Sequence, residues 1–175
     1  TATICRSIGH QILGGAPRAH VTDAETYALY LRGLYCVARE ATRSSEAVAL
    51  LQAAIRKDPS FVPAYTQLAY ACIGQIAYAL SERRTALAIG IAAAEKAVEL
   101  DPQSADAHAA LYRVSGLVTN SWADDGPHLQ RARELGSTRV HEQLMWLHAR
   151  RGEFDAAMES ARASVACDPI NPAFL

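Results

Sequence analysis

The residues of this chain best suited to chemistry are a histidine–carboxylate run, two adjacent aspartates, four cysteines and a set of aromatics interleaved with arginines. His141, Glu142 and His148 are the right types for a zinc-bound water with a carboxylate base. His148, however, lies seven residues after His141, whereas two histidines that share a metal from one helix stand a single turn apart. Asp124-Asp125 lack the loop of further oxygen ligands that a calcium site needs. Carboxylates at the start of a helix are the simpler account of them. Cys5, Cys36, Cys72 and Cys167 show neither CxxC nor mixed Cys/His spacing, and a chain with this much core does not need a disulfide framework. Free, buried thiols are expected. Cys36 and Cys72 fall at equivalent places in successive units, so whether they pair stays open. No nucleophile elbow or glycine-rich phosphate loop occurs, and Gly14-Gly15 reads as a turn. The chain is read as non-enzymatic, with no catalytic residue, cofactor or metal.

What must hold these side chains in place is a repeated helical pattern. Glu46–Pro59, Ala86–Pro102, Trp122–Ser137 and Gly152–Pro169 are near-copies of one Ala-rich amphipathic stretch, three of them closing on Asp-Pro. Between them run further apolar stretches of helical length: VPAYTQLAYACIG, ADAHAALYRVSGL and VHEQLMWLHAR. Alternation of two helical patterns is the signature of a stacked helical hairpin.

The spacing of Ile4, Ile8 and Ile12 predicts a first helix over Ala2–Leu13, ended by Gly14-Gly15-Ala16-Pro17. Asp23 caps a helix over Ala24–Ala41. Ser44 or Ser45 caps Glu46–Lys57, and Asp58-Pro59 stops it. Pro63 suits the first turn of a helix reaching about Leu80, because its missing N–H is unneeded there. Ser81 caps Glu82–Leu100, and Ser104 caps Ala105–Val118. Trp122–Leu135 follows, with Gly126-Pro127 a kink or a late start. Arg139–Arg150 and Phe154–Cys167 complete the series, and Pro172 keeps the tail from being a regular helix. The short loops make consecutive helices antiparallel neighbours. Ala47, Gly90, Ala97, Ala132 and Ala157 are expected where paired helices approach closely. Leu51, Leu129 and Leu144 each stabilise by roughly 1.5–3 kcal/mol when buried.

The fold class is therefore all-α: a solenoid of about four antiparallel hairpins after an N-terminal helix. The expected units are residues 1–15 (helix), 22–59, 60–102, 103–137 and 138–169 (hairpins) and 170–175 (tail). A net charge of -1 and a pI near 6.6 exclude a concentrated basic face, so this segment is not expected to grip nucleic acid. No apolar run approaches the ~20 residues of a membrane helix. Thr1 in place of Met suggests the edge of an excised domain or a processed fragment.

On these residues the chain resembles the tetratricopeptide repeat (TPR) family, which implies a right-handed superhelical solenoid. Gly152-Glu153-Phe154-Asp155-Ala156-Ala157 looks like that family's inter-helix turn. Asp58-Pro59, Asp101-Pro102 and Asp168-Pro169 look like its repeat boundaries. Tyr27–Gly33, Asp101–Leu111, Trp122-Ala123 and Cys167–Pro172 resemble, in content and order, the repeat region of certain bacterial multidomain regulators. Those proteins carry an N-terminal winged-helix DNA-binding domain or an adenylate-cyclase domain. The long span from Pro59 to Pro102, Ser137 in place of a Pro, and Asp125-Gly126-Pro127 depart from the repeat pattern.

The resemblance implies a protein-interaction or regulatory domain that binds a protein or peptide, or self-associates. It implies a cytoplasmic setting, or a periplasmic one beyond a membrane anchor. An assembly scaffold beside a cyclase and a small-ligand sensor are the alternatives. In such a solenoid the first helix of each hairpin lines the concave side. Helical spacing then points Tyr30, Thr66, Tyr70, Asp106, Arg113, Glu142, Trp146 and Arg150 into the groove, partly exposed. Aromatics beside arginine are common interface hot spots. Tyr70 and Trp146 are equally well read as core. The chaperone-tail clamp of some tetratricopeptide proteins needs Asn and Lys on these helices. Here the only Asn residues are Asn120 and Asn171 and the only Lys residues are Lys57 and Lys96, so that activity is not expected.

Overall fold

A computed structural model describes residues 21–39, 43–77, 83–119 and 126–167. The expected helix at Ala2–Leu13, the Ser81 cap, the Trp122–Asp125 stretch and the Asp168–Leu175 tail lie outside the described residues. Every regular element among the described residues is a helix: α1 (Ala24–Arg39), α2 (Ser44–Lys57), α3 (Val62–Ala77), α4 (Arg83–Leu100), α5 (Ala105–Thr119), α6 (Pro127–Glu134), α7 (Val140–Arg151) and α8 (Phe154–Cys167).

The ends of these helices follow from local chemistry. Asp23 Oδ1 accepts the N–H groups of Glu25 and Thr26, both at 3.0 Å, and so caps α1. The Ser104 hydroxyl accepts from Ala107 N–H at 3.3 Å at the start of α5. At α2 the expected cap is absent. Ser44 is already the first helical residue, and the capping position, Arg43, has no side-chain cap bond. Ser45 Oγ instead accepts from Gln75 Nε2 at 3.2 Å, tying α2 to α3. Pro127 begins α6 as a late start and does not kink it, with Gly126 as N-cap. Gly136 and Gly152 adopt φ of 80° and 76°, the left-handed turn that reverses a chain after a helix. Ser137 N–H then reaches Ala132 O at 2.9 Å, and Glu153 N–H reaches His148 O at 2.9 Å.

Each helix packs antiparallel on the next, and the first helices of successive pairs, α1, α3, α5 and α7, also touch one another in sequence. They form an inner row, with the second helices outside it. The core is correspondingly a chain of linked clusters. Cys36, Leu51, Leu68 and Cys72 fill the first. Ala69, Ala94, Leu111 and Val114 join α3, α4 and α5. Tyr112, Leu129, Val140 and Leu147 join α5, α6 and α7. The small residues stand where the hairpins close: Ala47, Ala97 and Ala132 are fully buried and Ala157 nearly so. A Cβ on Gly90 would lie 3.1 Å from Cys72 Cβ and 3.2 Å from Val114 Cγ2, so only hydrogen fits there without displacement. Cys36 and Cys72 are buried and not joined in a disulfide, and burial pushes the Cys72 thiol up to about 12.

Candidate functional site

The first helices of the pairs bring most of the residues expected in the groove near one another. Tyr70 comes from α3, Asp106 and Arg113 from α5, and Glu142, Trp146 and Arg150 from α7. Arg113 lies over the Trp146 ring, 5.6 Å from its centroid. It also donates from Nη1 to Gln143 Oε1 at 3.3 Å. Arg139, one residue before α7, lies over the Tyr70 ring at 4.4 Å. Both geometries are cation–π contacts, strongest where water is excluded. Asp106 Oδ1 accepts from the Ser137 hydroxyl at 2.7 Å, which ties α5 to the α6–α7 turn.

Electrostatics make this one neighbourhood. Burial raises the Tyr70 hydroxyl well above the ordinary tyrosine range, and the charges of Arg139, Asp106, Glu142 and Arg113 all reach it. The Tyr70 ring is half-buried, while its hydroxyl oxygen is sealed from solvent and makes no hydrogen bond. Burial lowers the Arg113 pKa below the usual arginine value. Burial works against the charge of Arg139 too, but Tyr70, Asp106, Glu142 and Tyr30 outweigh it and the value rises. The phenol stays neutral and both guanidiniums stay charged at physiological pH.

The structure groups Tyr70, Asp106, Arg113, Glu142 and Trp146, with Tyr30 and Arg150 at the margins. Tyr30 is half-buried and packs edge-on against Phe61 at 5.2 Å. It is close enough to feel Arg139 and Asp106. Arg150 is exposed and its charge reaches Arg113. Trp146 is 44% exposed, which places its ring at the surface and outside the core. Thr66 does not belong with them. It is 3% exposed and its hydroxyl donates to Val62 O at 3.3 Å, so the expectation of a partly exposed Thr66 is corrected. A threonine one turn into a helix satisfies its hydroxyl on its own backbone when neighbouring helices cover it.

Helical spacing alone missed Arg139 and Gln143. The signal was present: residues 139, 142, 143, 146 and 150 share one helical face, but Arg139 falls at the helix boundary. A second feature outside the groove was also missed. His108 and His128 stack at 5.2 Å with their Nδ1 atoms 2.9 Å apart.

Among the described residues no group of three or more His, Cys, Asp or Glu side chains could hold a metal. His148 Nδ1 contacts Glu153 Oε2 at 2.5 Å across the α7–α8 turn. An open cleft of about 260 Å³ lies between α1 and the start of α2, lined by Leu31, Arg32, Tyr35, Cys36, Arg43 and Glu46. It shares no residue with the cluster around Tyr70, Arg113 and Trp146. No described helix is long and apolar enough to cross a membrane.

The architecture is similar to the crystal structure of a thermophilic TPR protein from Thermus thermophilus. The TM-score is 0.67 over 97% of this chain and 89% of that one, at 16% sequence identity. The fold is thus a TPR-like all-α solenoid. No protein-family model and no curated protein matches the chain.

Proposed function

We propose that this chain is a non-enzymatic interaction domain that takes a protein or peptide partner along its inner row of helices. The observation that carries this reading is the pairing of aromatic rings with arginines on that row: Tyr70 with Arg139, and Trp146 with Arg113. Such pairs combine rigid contact area with charge, the composition of interface hot spots. The TPR-like fold supports the same reading, because stacked hairpins present an extended surface. The sequence resemblance to bacterial winged-helix regulators favours a role as their partner- or effector-binding part. A scaffold beside a cyclase domain is the alternative setting, and a small-ligand sensor the alternative class.

The test is a pull-down from the source cell's lysate with the wild-type chain and with Tyr70→Ala/Arg113→Ala/Trp146→Ala, once circular dichroism shows equal helix content. A protein kept by the wild type and lost by the variant supports the groove. Equal retention by both moves binding to another surface.

A further inference from the structure

Helix α1 is apolar on two opposite sides. One side packs on α2 and α3, and Gly33 and Cys36 are buried there. Ala24, Tyr27, Ala28, Leu31 and Tyr35 make the other side, and all five are exposed. Tyr27 is 48% exposed, Leu31 44% and Tyr35 54%, so each large side chain leaves about half of itself bare. Scattered apolar residues on a surface need no account, but a continuous stripe does. A helix that is apolar all round is one with neighbours on both sides. α1 begins the row, so no described helix precedes it on its bare side. The stripe runs into the open cleft between α1 and the start of α2, whose lining includes Leu31 and Tyr35.

The chain itself supplies a matching segment. Residues 2–13 lie outside the described residues, and their sequence places Ile4, Ile8 and Ile12 on one helical face, with Arg6 and His10 on the opposite one. Ile4, Ile8 and Ile12 have the same spacing as Tyr27, Leu31 and Tyr35, so each stripe rises about 12 Å. Residues 14–23 join the two segments. Ten extended residues reach at most ~33 Å, while packed helix axes lie about 8–10 Å apart, so the linker is long enough to turn back. Gly14-Gly15-Ala16-Pro17 suits that reversal. An antiparallel return sets Ile12 beside Tyr27, Ile8 beside Leu31, and Ile4 beside Tyr35 at the mouth of the cleft. A short tether also gives the segment an effective concentration of the order of millimolar, which a separate molecule rarely matches.

We infer that residues 2–13 fold back as a helix along α1 and cover the face made by Tyr27, Leu31 and Tyr35. The chain's own N-terminal segment then closes this end of the row. It withholds from a second copy an apolar surface that would otherwise be ready to pair.

Hydrogen exchange of the whole chain, read by mass spectrometry, is the test. A lone helix of this length is marginal in water, so the amides of residues 4–13 gain protection only if the segment docks. In the wild type they are expected to exchange at least about tenfold more slowly than in a free peptide of the same sequence. Leu31→Asp charges a face that is bare without the segment, so α1 stays folded, as circular dichroism can confirm. Protection over residues 4–13 is then expected to fall by about tenfold or more. Ile8→Asp strikes the same contact from the other side and is expected to give the same loss. Free-peptide rates in the wild type overturn the inference, and so does protection that Leu31→Asp leaves unchanged. A wild-type dimer in light scattering that Leu31→Asp dissociates assigns the face to a second copy and overturns it as well.

Discussion

His108 and His128 form a pair whose protons can be counted. His108 Nε2 lies 3.1 Å from the Pro102 carbonyl, which only accepts, so that nitrogen carries the proton. Neutral His108 then presents a bare Nδ1, and the Nδ1–H of His128 donates to it across 2.9 Å. His128 can take a further proton only at its Nε2, and its surroundings oppose the charge that this brings. Burial, followed by the field of His108, lowers the His128 pKa below the ordinary 6.5. The unfolded chain therefore binds more protons than the folded one as pH falls below that value. The contribution of His128 to stability is complete above pH 6.5 and is lost as pH falls towards its folded pKa. Urea midpoints at pH 7.5 and 5.5 should show lower stability at the acidic value, with a smaller difference in His128→Gln. An equal difference in both would assign the pH effect elsewhere. Neither ring was legible as a pair beforehand: the two are twenty residues apart, and only the closure of α5 on α6 brings them together. Arg139 was missed for a related reason, since a helical face is easy to continue inside a helix and hard to extend past its boundary.

At the scale of elements much more was readable, because helix ends are local chemistry. Asp23, Ser104, Pro63 and the glycines after α6 and α7 act within a few residues of their own position, so their types alone located the boundaries. Ser44 shows where this stops working. A serine ahead of an amphipathic run is a natural cap, but here Ser44 is 2% exposed within the helix, and its hydroxyl would lie only 2.8 Å from a Cβ on Gly74. Packing of α2 on α3 took the side chain that a local rule had assigned to the backbone. At α5 the local rule holds, and Ser104→Ala should lower stability by about 1 kcal/mol, checked by the urea midpoint at constant m-value. A loss near zero would mean that the 3.3 Å bond to Ala107 N–H carries no weight. Gly90 poses the opposite case. As a helix-interior glycine it costs about 1 kcal/mol relative to Ala, and its place is explained only by the α3 and α5 side chains pressed against it. Gly90→Leu should destabilise by roughly 1–3 kcal/mol or more through overpacking, whereas an exposed control, Ala88→Leu, should leave the midpoint nearly unchanged. A Gly90→Leu chain as stable as the wild type would show that α4 can move away from α3 at no cost.

For the molecule as a whole, the stacked arrangement makes a claim about cooperativity. Each helix pair touches only its neighbours along the row, so stability is a sum of pair terms and interface terms, not the property of one central core. Val114 is fully buried where α3, α4 and α5 meet, and Leu147 is 1% exposed where α7 joins the α5–α6 pair. Leu147→Ala should cost about 2–5 kcal/mol, but the loss should stay near the end of the stack. Native-state hydrogen exchange is then expected to show faster exchange in α7 and α8 with protection in α2 and α3 nearly unchanged. Val114→Ala removes fewer atoms, yet it loosens the joint between the two halves. It should broaden the urea transition, because the α1–α3 and α6–α8 parts then unfold with less reference to each other. If Leu147→Ala instead lowers protection equally from α1 to α8, the stack behaves as one all-or-none unit. The interfaces between pairs would then be stronger than the pairs themselves, and a ligand bound at Tyr70 and Arg139 would stabilise the ends as much as the middle.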